Sequence, residues 1–193
     1  LTRGISKGLI GRGMFPVFCI SAKANMGVDR LLDFIANAAP TAAQMPAPLN
    51  SEDSEIKCDP NGPASIFVFK TSIEPHIGEV NYFKVMSGEI NESCDLTNYN
   101  TNNKERLSQL FVNAGRKRDK VTKMVAGDIG ATVKLKNTKT DHTLNASGND
   151  WTFPAIVFPE PKYSAPIKPI AEGDEEKMAD ALNKMHSQDP TIT

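Results

Sequence analysis

Apolar side chains recur at every second position through the middle of this chain. Near its two ends they recur at intervals of three and four. The first pattern predicts strands and the second predicts helices. Residues 66–69 (Ile66, Phe67, Val68, Phe69) predict one strand, and residues 78–86 a second, closed by the turn signal Ser87-Gly88. Residues 95–99 predict a third, followed by a polar turn over 100–103. Residues 106–112, 121–125 and 129–135, with a short piece at Thr143 and Leu144, complete the set. Many short strands with regular turns suggest a closed barrel, which removes exposed sheet edges.

The flanks differ. Residues 16–20 (Pro16, Val17, Phe18, Cys19, Ile20) predict a buried strand, with Ser21, Ala22 and Lys23 at its carboxyl end. Val28, Leu31, Leu32 and Ile35 then lie at i, i+3, i+4 and i+7, an apolar stripe on a helix that Pro40 ends. Residues 40–63 hold Pro40, Pro46, Pro48, Pro60 and Pro63 with Glu52, Asp53, Glu55 and Asp59, the composition of a surface linker. Phe158, Pro159, Glu160 and Pro161 form a second, stiff linker, and residues 163–170 are expected to be extended. Asp174, Glu175 and Glu176 suit the first turn of a helix whose apolar positions are Met178, Ala181, Leu182 and Met185. A strand and one helix are too little for an independent core. The expectation is a piece of a larger multidomain protein with one complete domain in the middle.

The formal net charge is -1 over 193 residues, so no global basicity points to nucleic acid. No apolar run approaches the roughly 20 residues that span a bilayer. Cys19, Cys58 and Cys94 are scattered and odd in number, which argues against a disulfide framework and for a reducing cytoplasm. His76, His142 and His186 show no metal spacing, and no metal site is expected. Gly4, Gly8, Gly11 and Gly13 imitate a phosphate loop, yet no Gly-Lys-Ser/Thr follows and no strand precedes. Asn103-Lys104-Glu105-Arg106 imitates a guanine-specificity motif but lacks its Asp, and Asp128-Ile129-Gly130 is one residue short of a metal-loop motif.

Residues 16–23 with Gly27, Val28, Leu31, Leu32 and Asp33 resemble the end of the GTPase domain of bacterial elongation factor G. Phe69-Lys70, Gly78, Phe83, Val85 and Ser87-Gly88 resemble the first hairpin of that family's second domain, and Lys104-Glu105-Arg106 and residues 126–129 continue the match. Residues 158–161, 176–178, Ala181-Leu182 and 188–191 resemble the start of its third domain. The resemblance implies a mainly β chain. A translation-factor-type β-barrel (64–161) is flanked by the incomplete α/β tail of a GTPase domain (1–40), a linker (41–63) and the incomplete start of an α+β ferredoxin-like third domain (162–193). It implies a parent that uses GTP and Mg²⁺ and moves tRNA and mRNA through the ribosome, with the ribosome as partner. No membrane, no DNA and no second copy of the chain are expected as partners. Ser21, Ala22 and Lys23 would lie against the guanine base, against the plainer reading of a turn capped by Ser21. Hydrolysis needs phosphate-loop amides, a Lys, a Mg²⁺-binding hydroxyl and a positioned water, so the chain alone is expected to be inactive and to carry no cofactor. A ribosome-protection protein or other paralogue is an alternative, as is a stand-alone binding barrel without catalysis. The family's usual Gly-Asp-Thr-Leu is here Asp141-His142-Thr143-Leu144, and Asp tolerates the left-handed turn this needs.

Residues 104–123 hold Lys104, Arg106, Arg116, Lys117, Arg118, Lys120 and Lys123 against Glu105 and Asp119, a local charge of +5. Such asymmetry points to sequence-independent phosphate contact, and no paired aromatics accompany it for base stacking. From the residues alone a solvated hairpin is the favoured reading; the family resemblance tips it towards ribosomal RNA. Alanine at Arg116, Lys117 and Arg118 is expected to leave folding nearly intact.

Overall fold

The computed structural model describes residues 2–74, 76–115, 117–169, 171 and 173–192. They form two compact units, Leu1–Pro48 and Leu49–Thr193.

In the first unit, helices α1 (Thr2–Ile10) and α2 (Val28–Ala38) pack on each other. The apolar stripe forms the predicted helix, and Gly27, at φ 72°, begins it. Phe18 meets Phe34 edge-on at 4.9 Å. The buried strand predicted over 16–20 does not form: Phe15 is 80% and Val17 89% exposed, and no ladder pairs this segment. An apolar run makes a strand only where another strand takes up its N–H and C=O groups, and no described residue does so here.

The second unit is mainly β. Its strands are β1 (Ser65–Glu74), β2 (Gly78–Ser87), β3 (Glu89–Asn91), β4 (Cys94–Asn98), β5 (Asn103–Leu107), β6 (Leu110–Ala114), β7 (Lys117–Val121), β8 (Lys123–Val125), β9 (Ile129–Val133) and β10 (Thr143–Asn145). Eight pair antiparallel in the order β5-β4-β10-β1-β2-β9-β6-β7, and β3 pairs with β8. One cluster of buried side chains takes Ile66 and Val68 from β1, Phe83 and Val85 from β2, Leu107 from β5 and Leu110 from β6. Strands from opposite ends of the order thus share one core, so the sheet curls into a barrel. Burying Phe83, Val85, Ile66 and Leu144 removes the apolar area that drives this closure, about 25 cal/mol per Å².

Two predicted strands are in fact pairs. Leu107 and Leu110 are both fully buried but three residues apart. One strand would point them to opposite faces, so the chain bends at Ser108, whose N–H donates to the Arg106 carbonyl at 2.9 Å. The same odd spacing separates Val121 and Met124, and the chain breaks at Thr122 into β7 and β8. The short strand β3 has no period-two signature of its own.

The acidic linker is partly tied down. Asn50 is buried, and its side-chain oxygen accepts from the N–H groups of Glu52 and Ser54. Ser51 N–H donates to the Thr152 carbonyl at 2.7 Å, next to Trp151 and Phe153, which stack edge-on at 5.2 Å. Helix α3 (Glu175–Gln188) follows the predicted spacing and lies along β1, where Ile73 N–H donates to the Gln188 side chain at 3.1 Å.

Candidate nucleic-acid interface

Ser21, Ala22 and Lys23 form a tight turn. Ser21 and Met26 exchange backbone hydrogen bonds at 3.1 and 3.0 Å, and the Ser21 hydroxyl accepts from Ala24 N–H at 3.3 Å. Ala22 and Lys23 are exposed. The local cap is therefore present, and the Ala22 carbonyl accepts from Asn25 N–H at 3.2 Å within the turn.

The basic segment does not form one continuous strip. Lys104 and Arg106 sit on β5 at one end of the sheet order, Lys117, Arg118 and Lys120 on β7 at the other, and Lys123 on β8 in the small sheet. Arg116 lies outside the described residues. Carboxylates meet most of the others: Asp95 lies 3.9 Å from Arg106, Asp119 3.0 Å from Lys117, Glu92 2.6 Å from Lys120 and Glu89 2.5 Å from Lys123. The Lys123 ammonium, then Asn91, holds the Glu89 carboxyl below the usual range. Exposed pairs of this kind are worth about 0–1 kcal/mol, so phosphates can displace the carboxylates at little cost. Lys104 is exposed and forms no ion pair among the described residues.

Arg118 differs. Its guanidinium makes two bonds to Glu74 at 2.8 and 3.0 Å, and its Nε donates to Asn113 at 3.2 Å. It lies over the Phe111 ring at 5.4 Å. Tyr82 donates to the same Glu74 at 3.1 Å and accepts from Asn113 at 3.1 Å. Glu74, Tyr82, Asn113 and Arg118 line a hollow of about 300 Å³. Arg118 is a clamp on the β6–β7 hairpin, and its removal leaves Glu74 without that partner. The expectation that its loss spares folding is corrected accordingly.

The loop that joins β9 to β10 covers a polar cluster that the charge pattern does not reveal. Glu105, one of two acidic residues in the basic segment, is buried. Its carboxylate accepts from the N–H of Lys136 at 3.1 Å, the N–H of Asn137 at 2.6 Å and the Thr138 hydroxyl at 3.2 Å. Asn98, also buried, donates to the Asn137 carbonyl at 3.0 Å and to Thr138 Oγ1 at 3.1 Å. A signal exists in the sequence: Glu105 lies two residues before Leu107, hence on the same inward face.

His142 closes this cluster. Asn98 Nδ2 at 2.9 Å and Lys139 N–H at 3.2 Å both approach its Nδ1. Two donors require Nδ1 to be the acceptor, which places the ring hydrogen on Nε2. Burial is the main cause that holds its pKa below the ordinary value, with Lys139 acting the same way and the Asn137 backbone, Asp141 and Glu105 opposing. A depressed histidine pKa means that the unfolded chain takes the proton first. Stability should be unaffected by this group above about pH 7, fall as pH drops through about 6.5, and level off once the folded ring is protonated. Urea unfolding between pH 8 and 5 should show this slope, and His142→Asn should flatten it. Equal slopes in both proteins would remove His142 as the cause.

The family model for elongation factor G domain 2 matches residues 63–147, and the model for elongation factor G domain III matches residues 158–193. The elongation factor G of Ureaplasma parvum serovar 3 is 34% identical over 193 residues, covering 97% of this chain and 28% of that protein. The elongation factor G of Ureaplasma urealyticum serovar 10 is 33% identical over the same span. A crystal structure of a Thermus thermophilus protein matches with a TM-score of 0.75 at 23% identity, covering 98% of this chain and 27% of that one, which establishes likeness of fold.

Proposed function

The chain belongs to the elongation factor G family, and on that premise we propose that it is the barrel-centred part of a translational GTPase that moves tRNA and mRNA through the ribosome. The chain spans about 28% of the length of the curated relatives it matches. The observation that carries the reading is collinearity: a single alignment runs the length of the chain, with the barrel and α3 falling under two consecutive domains of one factor.

In this reading the parent binds GTP with Mg²⁺ and hydrolyses the GTP; Ser21, Ala22 and Lys23 would wall the guanine, and the phosphate contacts would come from outside these residues. The ribosome is the partner and the cytoplasm the compartment. No helix among the described residues is long and apolar enough to cross a membrane. The barrel presents Lys104, Arg106, Lys117, Lys120 and Lys123 to ribosomal RNA phosphates, with Arg116 a candidate on sequence alone, while Arg118 holds the hairpin in place.

Ribosome binding of the full-length parent tests this. Replacing Lys104, Lys117 and Lys120 with Ala should weaken binding and flatten its salt dependence, by roughly 0.7–0.9 in log-log slope for each phosphate that is no longer neutralised. Unchanged binding at low and moderate salt removes the RNA assignment. A parent whose GTP turnover does not respond to ribosomes removes the translational reading altogether.

A further inference from the structure

We propose that the polar cleft beside the β9–β10 loop is a binding site for a phosphate group. A cleft of about 430 Å³ opens there between the loop joining β9 to β10 and the turn joining β4 to β5. Lys136, Asn137, Lys139 and His142 face it from the loop, and Thr101 and Asn103 from the turn. The site centres on the β9–β10 loop, outside residues 104–123, and stands on its own geometry, independent of the ribosomal reading.

Three features favour a phosphate. The first is charge. Most cations of the basic segment are matched to carboxylates, whereas Lys136 and Lys139 are exposed and form no ion pair among the described residues. Among the described residues the one carboxylate lining the cleft is Glu79, and one of its oxygens accepts from the buried Asn81 side chain at 3.2 Å. The second is rigidity. Glu105 fixes the backbone of Lys136 and Asn137, and Asn98 fixes Asn137 and Thr138, so both lysines rise from an immobilised loop. A donor frame ordered before the ligand arrives loses less entropy on binding. The third is the ring of His142. With Nδ1 already accepting two hydrogen bonds, its other nitrogen is an N–H donor, and the ring lines the cleft. Two ammonium groups and an imidazole N–H suit an anion that offers several oxygens at once.

Amide and imidazole NMR of the full chain, titrated with inorganic phosphate and separately with a short single-stranded RNA, tests the site. The expected result is saturable shifts at Thr101, Asn103, Asn137 and His142. Lys136→Ala with Lys139→Ala should weaken the response at least tenfold; both side chains are exposed, so the fold is retained. Saturation by phosphate alone identifies a free phosphate site. Tighter saturation by RNA, reversed by phosphate, identifies a backbone phosphate site. The proposal is overturned if neither ligand saturates, if acetate at equal ionic strength produces the same shifts, or if the shifts map only to residues 117–123. None of these outcomes depends on the parent's behaviour with ribosomes.

Discussion

Glu105→Ala should destabilise the barrel by about 3–5 kcal/mol. The substitution removes the acceptor for two backbone N–H groups and one hydroxyl. A buried donor left without a partner costs about 1–3 kcal/mol. Water can reach Lys136 and Asn137, which are exposed, so the full sum is not expected. Glu105→Gln keeps one acceptor oxygen but turns an amide towards the same donors, and should cost about half as much. Trp151 is the only tryptophan and lies buried in the barrel unit, so its fluorescence during urea unfolding reports this domain directly. A midpoint within error of the wild type for Glu105→Ala would show that the loop over residues 134–140 holds itself.

Gly88→Ala should cost about 3 kcal/mol or more by the same measurement. Gly88 has φ +72°, and an added Cβ would lie 2.6 Å from the Ala64 nitrogen and 2.7 Å from the Gly62 carbonyl oxygen. Both obstacles are backbone, and both are held: Gly62 N–H donates to the Asp59 carbonyl at 3.1 Å, and the Ala64 carbonyl accepts from Ala146 N–H at 2.8 Å. Gly88 N–H donates to the Asp59 carbonyl at 2.8 Å, and its own carbonyl accepts from Ala126 N–H at 2.9 Å. Left-handed geometry costs an L-residue about 1–2 kcal/mol, and overpacking adds about 1–3. Gly115 separates the two effects. Its φ is +61° and, among the described residues beyond its chain neighbours, nothing lies within 4 Å of its added Cβ. Gly115→Ala should therefore show the conformational cost alone, about 1–2 kcal/mol. Equal losses at the two sites would mean that the approach of residues 62–64 contributes nothing.

The barrel is legible in the residues because its strands follow a local rule. Where every second side chain is apolar, one face can be buried without regard to distant partners, and β1, β2, β4, β9 and β10 form where that alternation occurs. The helices α2 and α3 follow from their own 3.6-residue period. Asp141 can replace glycine in a left-handed turn, and it adopts φ +74° while accepting from Ile156 N–H at 3.0 Å. Each of these properties belongs to a few consecutive residues.

What the chain alone leaves open depends on residues far apart. The apolar segment 16–20 has the side chains of a strand, but strand formation requires a second backbone, and none of the described residues supplies it. Along the chain Glu105 is one more charge in a charged segment, because its partners lie 31 to 33 positions away, on a loop that folds back over it. Arg118 falls among the free cations for the same reason, since Glu74 is 44 residues distant. His142 has no metal spacing and no evident role until Asn98 and Lys139 fix its tautomer. Charge and periodicity are read along the chain, whereas desolvation and hydrogen bonding act through space. The sequence by itself therefore determined where most of the strands and helices lie, and the tertiary structure decided which of its charged groups are buried, paired or left to meet a ligand.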